Sequence, residues 1–469
     1  MPRLFFNAFV MNTSSHIHHG QWRRPDARQV DFDDLELWVD LARTLEDAKF
    51  DAMFFADVSG LYGDSDADYS DYVREGLQIP SNDPLILLGA LAGRTTDIGL
   101  AATANVFQQH PTNFARQVAT LDHISKGRAA WNIVTGTQDN GYRNFGYPAL
   151  EDHDERYRWA EEYVDVTYKL WEGSWDEGAV RKDKEAGLYS DPEKVHKIYH
   201  QGERYRVEGP FLSAPSPQRT PLLFQAGSSG PGRDFAARHA EAVFLTAPSP
   251  EVARRQIEET RALAVKHGRR PEDVTFHQGL TFVVGATEAE AREKFDSHRQ
   301  FVRPEGYALH SAIVDLDGRV YPADTPLGEV QTNGSRGRLD DLIKALGPAA
   351  TVADWVDLRM NSTLVGTPEQ IADELERWQG AGVDGINVIN WVIPGSFEEF
   401  AELVMPVLRE RGLAQAEYAE GPLRRKLFGR DRLPDSHPAA AYRGAFADGP
   451  RSWDEAAAGL TAGTPSGRR

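Results

Sequence analysis

Eight short apolar segments recur along the chain, and each is followed by a segment with helical spacing of its apolar residues. This alternation is typical of parallel sheets, because parallel strands need a crossover connection that is usually a helix. It predicts an α/β fold, a (β/α)8 TIM barrel with insertions. An open doubly wound sheet is the alternative, and we disfavour it because no predicted strand runs into a Gly-x-Gly-x-x-Gly turn. The predicted strands are residues 4–10, 51–55, 98–106, 128–135, 222–226, 242–246, 275–284 and 385–392.

Three longer segments, near 58–80, 173–220 and 290–365, interrupt this alternation. Long connections of this kind in a compact domain are usually functional, so we expect insertions that cover a site. The second insertion contains HQGERYRVEGPF, which predicts a β-hairpin. We expect residues 1–430 to form a single barrel domain. Residues 431–469, rich in Pro, Ala, Gly and Arg, are expected to form a flexible tail.

Composition restricts the classes of ligand. The formal net charge is −19, which disfavours binding to a nucleic-acid backbone, while 22 Phe, 15 Tyr and 10 Trp suit a large core and a small-molecule site. The chain has no cysteine, which excludes thiol catalysis, zinc–thiolate sites, iron–sulfur clusters and disulfides. No signal peptide and no apolar run of membrane-spanning length is evident, so we expect a cytoplasmic protein without a membrane partner.

Ligands of barrel enzymes bind at the carboxyl ends of the strands, and two features there suit a phosphate. The predicted strand 222–226 runs into a Gly-Ser-Ser-Gly turn that contains Ser228 and then into a helix. Such a turn presents backbone N–H groups and hydroxyls to a phosphate monoester, although an ordinary serine N-cap explains it equally well. His153 and Tyr157 lie four residues apart at a helix start, and both can donate to phosphate oxygens or simply cap and pack.

Other strand ends carry polar residues that suit a flat ring. Asp57 follows the second predicted strand and can orient a ligand or cap the next turn. Thr103 and Asn132, on neighbouring strands, can hydrogen-bond the edge of a heterocycle or satisfy each other.

Three histidines, His16, His18 and His19, follow the first predicted strand. A His-x-His pair in this place is typical of a metal-dependent barrel hydrolase. Such a site needs further ligands, and the fifth, sixth and eighth predicted strands end without His or carboxylate. The metal hydrolase is therefore the weaker alternative.

Several longer stretches, in the same order, resemble the two-component flavin monooxygenases of the bacterial luciferase-like superfamily, in the branch of the nitrilotriacetate and dibenzothiophene-sulfone monooxygenases. The resemblance spans about residues 4–430. It implies a (β/α)8 barrel that binds FMN at its carboxyl-terminal face. The stretches are HHGQWRR at 18–24, ARTLEDAKFD at 42–51, ATLDHISKGRAAWNIVT at 119–135, HDERY at 153–157, QAGSS at 225–229 and GTPEQIADEL at 366–375.

The resemblance also implies which residues contact the cofactor. The phosphate would lie against His153, Tyr157 and Ser228, in agreement with the phosphate-binding turn described above. The ribityl chain and the ring would lie nearer Asp57 and Thr103, which also match the family's FMN contacts, and nearer Asn132.

The implied reaction uses reduced FMN, supplied by a separate NAD(P)H-dependent flavin reductase, and O2 that adds at C4a of the flavin. We expect oxidation and cleavage of a small aromatic or heterocyclic substrate at a C–N or C–S bond, with riboflavin degradation by a riboflavin lyase as an alternative. A non-catalytic flavin-binding protein is the alternative from another class. His19 and His310 are the candidates for proton handling, and Asn132 is a further candidate catalytic residue. Relatives suggest a homodimer or homotetramer.

Overall fold

Eight parallel strands form a closed barrel in the computed structural model, which describes residues 3–61, 69–227, 229–302, 321–332, 336–449 and 452–456. Pairing of Ala242–Leu245 with residues 275–278 closes the ring. The predicted (β/α)8 barrel is therefore confirmed, and every predicted strand overlaps an observed one. The barrel strands are β1 (Phe5–Met11), β2 (Ala52–Ala56), β3 (Gly99–Asn105), β4 (Ala129–Val134), β5 (Leu222–Gln225), β6 (Ala242–Leu245), β7 (Thr275–Val284) and β8 (Gly385–Ile389).

Helices surround the barrel, and most of the long ones begin at a residue whose side chain accepts a hydrogen bond from the first helical turn. Asp34, Asp83 and Ser249 are examples, and each satisfies an N–H group that would otherwise lack a partner. The helices are α1 (Leu35–Asp47), α2 (Ser70–Glu75), α3 (Pro84–Ala92), α4 (Pro111–Ile124), α5 (Asp139–Asn144), α6 (His153–Tyr168), α7 (Gly230–His239), α8 (Pro250–Lys266), α9 (Glu288–Arg299), α10 (Arg336–Leu346), α11 (Val352–Asn361), α12 (Pro368–Gly380), α13 (Gly395–Glu399), α14 (Met405–Glu410) and α15 (Leu423–Phe428).

Aromatic side chains fill the barrel interior. The ring centres of Phe54 and Phe224 are 4.9 Å apart, and those of Phe9 and Phe244 are 4.8 Å apart in an edge-to-face arrangement. At the amino-terminal end of the strands, Leu423 of α15 packs into the same cluster and is only 1% exposed. The barrel is therefore filled and closed at its base, and only the opposite end can receive a ligand.

A buried ion pair holds α15 in this position. Arg424 Nε lies 2.6 Å from Glu241 Oε1, and both side chains are fully buried. The same guanidinium donates to the carbonyl oxygens of Thr220 and Pro221, just before β5. These bonds satisfy a buried charge that would otherwise be costly, because both partners have lost their water.

Small strands outside the barrel are only partly predicted by the sequence. Strands His200–Gln201 and Arg206–Val207 form the expected antiparallel hairpin. A second hairpin, Val180–Asp183 with Leu188–Ser190, lies in the same insertion and was not predicted. A short strand, Thr363–Gly366, pairs with the last four residues of β7 and was not predicted, because four residues give too short a pattern.

The prediction of a flexible tail from residue 431 is wrong for residues 431–449. Leu433, His437 and Ala439 are buried, and His437 Nε2 donates to the His239 carbonyl oxygen at 2.9 Å. Tyr442 hydrogen-bonds Asp165 on α6. Small residues such as Ala and Gly suggest a solvated chain by composition, yet they also permit close packing against helices. We propose that residues 3–449 form one barrel unit. Residues 457–469 lie outside the described part.

Among the helices that the structure describes, none combines the length and the apolarity needed to cross a membrane.

Leu423→Ala should destabilise the chain by about 2–5 kcal/mol, because it opens a cavity at the base of the barrel. Leu212→Ala is the matched control, since Leu212 is 76% exposed. Urea unfolding followed by tryptophan fluorescence measures both. Equal midpoints for the two variants would show that α15 does not close the barrel.

Candidate active site

A cavity of about 370 Å³ opens at the carboxyl ends of the strands. Its size is within the range of small-molecule sites in proteins. Its walls come from the ends of β2, β3, β4 and β5, from the start of α6 and from the turn before α7. The structure thus brings most of the predicted cofactor-binding segments to one place.

His153 and Tyr157 both line the cavity from the first turns of α6. The His153 imidazole is 2.9 Å from Asp154 Oδ1, measured from Nδ1. Burial raises the pKa of Tyr157, while hydrogen bonds with Ser229 and Gln225 oppose the shift. The phenol therefore stays protonated at neutral pH and can donate a hydrogen bond to an anion.

The turn between β5 and α7 packs closely against Tyr157. A Cβ atom on Gly227 or Gly232 would lie 2.7 Å from the Tyr157 hydroxyl oxygen, so both positions require glycine. Ser229 caps α7 by accepting from Gly232 N at 3.1 Å, and it lines the cavity. The start of a ten-residue helix beside a phenol donor suits a phosphate group. Ser228 itself lies outside the described residues.

Arg156 is a cavity residue that the sequence analysis missed. Its side chain is 1% exposed, lines the cavity and donates to the Gly136 carbonyl oxygen. A guanidinium at this position adds positive charge beside the phenol and the imidazole. The available indication was its i,i+3 spacing from His153, which places both on one helix face.

Asp57 lines the cavity directly after β2. Burial raises the pKa of its carboxyl group to about 7, against the opposing hydrogen bond from the Val58 backbone. The carboxylate of Asp83 raises it further, and a hydrogen bond with Gln108 lowers it. Asp57 is therefore poised to exchange a proton near neutrality.

Thr103 and Asn132 face each other across β3 and β4 inside the barrel. Asn132 Nδ2 donates to Thr103 Oγ1 at 2.9 Å, so the two side chains contact each other, although this bond leaves Asn132 Oδ1 unused. On each strand, the next side chain that faces inward lines the cavity. This residue is Asn105 after Thr103 and Val134 after Asn132. Among the described residues, the buried Oδ1 atoms of Asn105 and Asn132 have no hydrogen-bond partner.

The histidines after β1 are buried beside the cavity. His19 Nδ1 is 2.6 Å from Ser15 Oγ, and burial, followed by the charge of Arg359, lowers the pKa of His19 to about 3. His19 is therefore neutral at physiological pH, and its low pKa makes it a weak proton acceptor. The second candidate for proton handling, His310, lies outside the described residues.

The histidines of the same loop make other contacts in the described part of the chain. The ring of His18 stacks on Trp391 at 3.8 Å between centres, and its Nε2 is 3.1 Å from Thr281 Oγ1. In the described part of the chain, no three His, Asp or Glu side chains are grouped as metal ligands. Stacking and hydrogen bonding account for His18 without a metal.

Arg359 is the second cavity residue that the sequence did not indicate. It belongs to α11, in the late insertion, and reaches the cavity beside Ile17 of the histidine loop. Its charge contributes to the lowered pKa values of His16 and His19, after burial, which confirms that it lies near that loop. No spacing pattern in the sequence connects residue 359 with the barrel mouth.

Comparisons with known proteins identify the family of the chain. The family model for luciferase-like monooxygenases matches residues 9–385. The chain is 42% identical over 450 residues to long-chain alkane monooxygenase of Geobacillus thermodenitrificans (strain NG80-2), covering 94% of this chain and 98% of the relative. It is 40% identical over 453 residues to dimethyl-sulfide monooxygenase of Hyphomicrobium sulfonivorans, covering 95% and 94%.

A solved structure of riboflavin lyase with modified FMN and riboflavin superposes with a TM-score of 0.87, at 37% identity, covering 94% of this chain and 99% of that chain. The chain therefore belongs to the luciferase-like monooxygenase family. It is an enzyme of the flavin-dependent monooxygenase class, which confirms the resemblance stated from the sequence.

The raised pKa of Asp57 predicts a pH-dependent stability difference from Asp57→Asn. The folded chain holds the carboxyl proton until about pH 7, whereas the unfolded chain releases it near the ordinary value of 3.8. The stability that protonation provides is thus complete below about pH 4 and is lost as the pH rises through 7. Relative to wild type, the variant should gain stability over this interval and then level off. Urea unfolding across the range measures it, and a pH-independent difference would contradict the shift.

Proposed function

We propose that the chain is an FMNH2-dependent monooxygenase that uses O2 to oxidise a small aromatic or heterocyclic compound and to cleave a C–N or C–S bond. The observation that carries this proposal is one cavity in which phosphate-binding groups adjoin an apolar floor. Its polar side contains Arg156 and Tyr157, and its apolar side contains Phe9 and Phe244.

The polar side fits the phosphate of FMN. Arg156 supplies positive charge, Tyr157 and His153 supply donors, and Ser229 lies at the start of α7. Ser228 is proposed as an additional donor from the family pattern. Charge-assisted bonds of this kind are stronger than neutral ones, which suits a dianionic group.

The remaining polar groups suit the ribityl chain and the ring. The buried Oδ1 atom of Asn105 lacks a partner among the described residues, and a buried acceptor without a donor indicates a missing hydrogen-bonding group. A flavin ring carries such a donor. Asp57, Thr103 and Asn132 are proposed to lie on this side of the cofactor.

When bound, reduced FMN supplies the electrons that activate O2 for transfer of one oxygen atom. The chain's own residues must hold the cofactor and the substrate, exclude water and move protons. Asp57 can donate or accept a proton at its carboxyl group, because its pKa is about 7. His19, a neutral imidazole, and His310 stay candidates for proton handling.

An apolar substrate fits the floor of the cavity. Phe9, Ile17, Phe244 and Ile389 line it, and the rings of Phe9 and Phe244 meet edge to face. Such surfaces favour planar or aliphatic groups over a polyanionic chelate. The relative named dimethyl-sulfide monooxygenase supports chemistry at a C–S bond.

Degradation of riboflavin is the second candidate function. The solved riboflavin lyase matches the whole barrel and was obtained with riboflavin as its substrate. Riboflavin is itself a flat heterocycle with C–N bonds, so it belongs to the substrate class that we propose. The experiment below separates the two candidates.

We also propose two partners. An NAD(P)H-dependent flavin reductase must supply the reduced FMN, because the oxygenase consumes it in each turnover. A second copy of the chain is the other, in a homodimer or homotetramer. Ile86 on α3 and Ile124 on α4 are 75% and 52% exposed, as expected of residues that a neighbouring copy could cover.

Incubation with reduced FMN under anaerobic conditions, followed by oxygen and mass spectrometry, tests the function. The panel should contain aromatic sulfides, sulfones, amines and riboflavin. We expect incorporation of one atom from labelled O2 into one of these classes, and loss of the ribityl chain if riboflavin is the substrate. Oxidation of the reduced FMN without any product from the panel would instead support a non-catalytic flavin-binding protein.

Tyr157→Phe should weaken FMN binding by about 1–3 kcal/mol, because it removes a donor to the phosphate. Tyr163→Phe is the matched control, since Tyr163 lies on the same helix, is buried and packs against Phe114 and Trp131. Isothermal titration calorimetry measures both affinities. If both variants bind FMN as the wild type does, the phosphate lies elsewhere.

His19→Ala should leave FMN affinity unchanged and lower turnover, because it removes a neutral, hydrogen-bonded imidazole beside the cavity. Ser15→Ala keeps the imidazole but removes its 2.6 Å contact, so it reports the effect of orientation alone. Stopped-flow turnover with limiting oxygen measures the rates. Wild-type turnover in His19→Ala would exclude the residue from the mechanism.

A further inference from the structure

A buried contact between α6 and α7, away from the cavity, bears on its phosphate side. Resting on the function proposed above, we propose that His239, the last residue of α7, is a positioning residue for the FMN phosphate. His239 lies outside the cavity lining, so it acts through other residues. It fixes how α7 lies against α6, and this arrangement places the Tyr157 hydroxyl beside the turn that begins α7.

The two helices meet through side chains that are spaced one helical turn apart on each of them. Tyr157 and Glu161 lie four residues apart on α6, and Phe235 and His239 lie four apart on α7. The Tyr157 ring centre is 5.8 Å from that of Phe235, and Glu161 Oε2 is 3.0 Å from His239 Nε2. The rings of Phe235 and His239 are themselves 4.6 Å apart. These four side chains form a continuous contact from the cavity to the end of α7.

Both ring nitrogens of His239 have partners on α6. The Tyr168 hydroxyl lies 3.3 Å from Nδ1, and the Glu161 carboxylate lies beside Nε2. Burial would raise the pKa of Glu161, but its contacts with His239 and Arg238 lower it overall, so the carboxylate is ionised and only accepts. Burial also lowers the pKa of His239, so the neutral ring donates from Nε2 and accepts at Nδ1. A side chain held at both nitrogens fixes the end of α7 on α6.

The segment 431–449 stabilises the same contact. His437 Nε2 donates to the His239 carbonyl oxygen at 2.9 Å, and carbonyl groups at the end of a helix have no partner within it. The His437 side chain is 1% exposed, and its ring lies 5.6 Å from that of Tyr168 on α6. The segment is therefore joined to both helices at the residue that we propose as the positioning residue.

The other end of α7 shows why this arrangement affects an anion. A Cβ atom on Gly227 or Gly232 would lie 2.7 Å from the Tyr157 hydroxyl oxygen, so the turn fits closely around the phenol. A small rotation of α7 would move the N–H groups of the turn relative to that hydroxyl. Hydrogen bonds to a charged oxygen depend on distance and direction, so binding of the phosphate would weaken. Contacts with the flavin ring, proposed to lie toward Asn105, would be unaffected.

Binding of FMN and of riboflavin tests the proposal without turnover, since the two ligands differ only in the phosphate. Both are reduced and titrated anaerobically into the full chain, and calorimetry gives the dissociation constants. The ratio of the riboflavin constant to the FMN constant is the preference for the phosphate. His239→Leu should lower this preference about fivefold relative to wild type, by weakening FMN binding while riboflavin affinity stays the same.

Two further variants separate positioning from a general loss of stability. His200→Leu is the matched control, because His200 is also buried and its Nε2 lies 3.3 Å from Glu162 Oε1 on α6, but it belongs to the hairpin of the second insertion and not to α7. This variant should keep the wild-type preference. His239→Gln should recover part of the preference, since an amide both donates and accepts. Circular dichroism should show that each variant is folded.

Hydrogen exchange on the wild-type chain tests the same coupling without a substitution. Coupling between two sites is reciprocal, so a phosphate bound at Tyr157 and the start of α7 should slow exchange at residues 431–449. FMN should therefore protect this segment more than riboflavin does. Equal protection by the two ligands would contradict the proposal, even if His239→Leu does not fold.

Two results with the variants would overturn the proposal. An unchanged preference in folded His239→Leu would show that the end of α7 does not position the phosphate, and an equal loss in His200→Leu would show a general loosening of α6. Tyr157→Phe keeps this proposal separate from the proposed function. If Tyr157→Phe lowers the preference and His239→Leu does not, only the positioning role is wrong. If the wild type binds FMN and riboflavin equally, the phosphate site itself is wrong, and the positioning role with it.

Discussion

The hydrogen bonds that join β6 to β7 close the sheet into a ring, and the site depends on this closure. In a closed parallel barrel, all eight carboxyl ends meet around one opening, while aromatic side chains and Leu423 fill the interior and the base. Residues that are far apart in the chain then line one cavity, among them Asp57, Tyr157 and Ser229. If the barrel did not close, these polar groups would lie on separate loops and would not share a cavity.

The charge of the cavity lining is opposite in sign to the net charge of the whole chain. The net charge is −19, yet Arg156 and Arg359 line the cavity, where the chief carboxyl group, Asp57, has a pKa raised by burial. Burial also keeps His16 and His19 neutral. The outcome is a local positive region enclosed by aromatic and aliphatic groups, which suits a phosphorylated cofactor and an organic substrate far better than a metal ion.

Much of the barrel could be predicted, because alternating apolar strands and amphipathic helices give the sequence a periodic pattern of apolar residues. His153, Tyr157 and Asp57 were found because each lies at the end or start of such an element. Arg359 was not, since its place at the cavity depends on how Trp355 packs in a separate cluster, and no local pattern reports that contact. Residues 431–449 were misjudged for the same reason, because their order depends on packing partners distant in the chain.

A crystal structure of the chain grown with FMN under reducing conditions is the most direct test of the central claim, that the cavity at the strand ends holds the flavin by its phosphate. The account predicts density for the phosphate within hydrogen-bonding distance of Arg156, Tyr157 and the start of α7, with the ring toward Asn105. Density for FMN elsewhere on the chain, or a phosphate placed against Arg359, would contradict it.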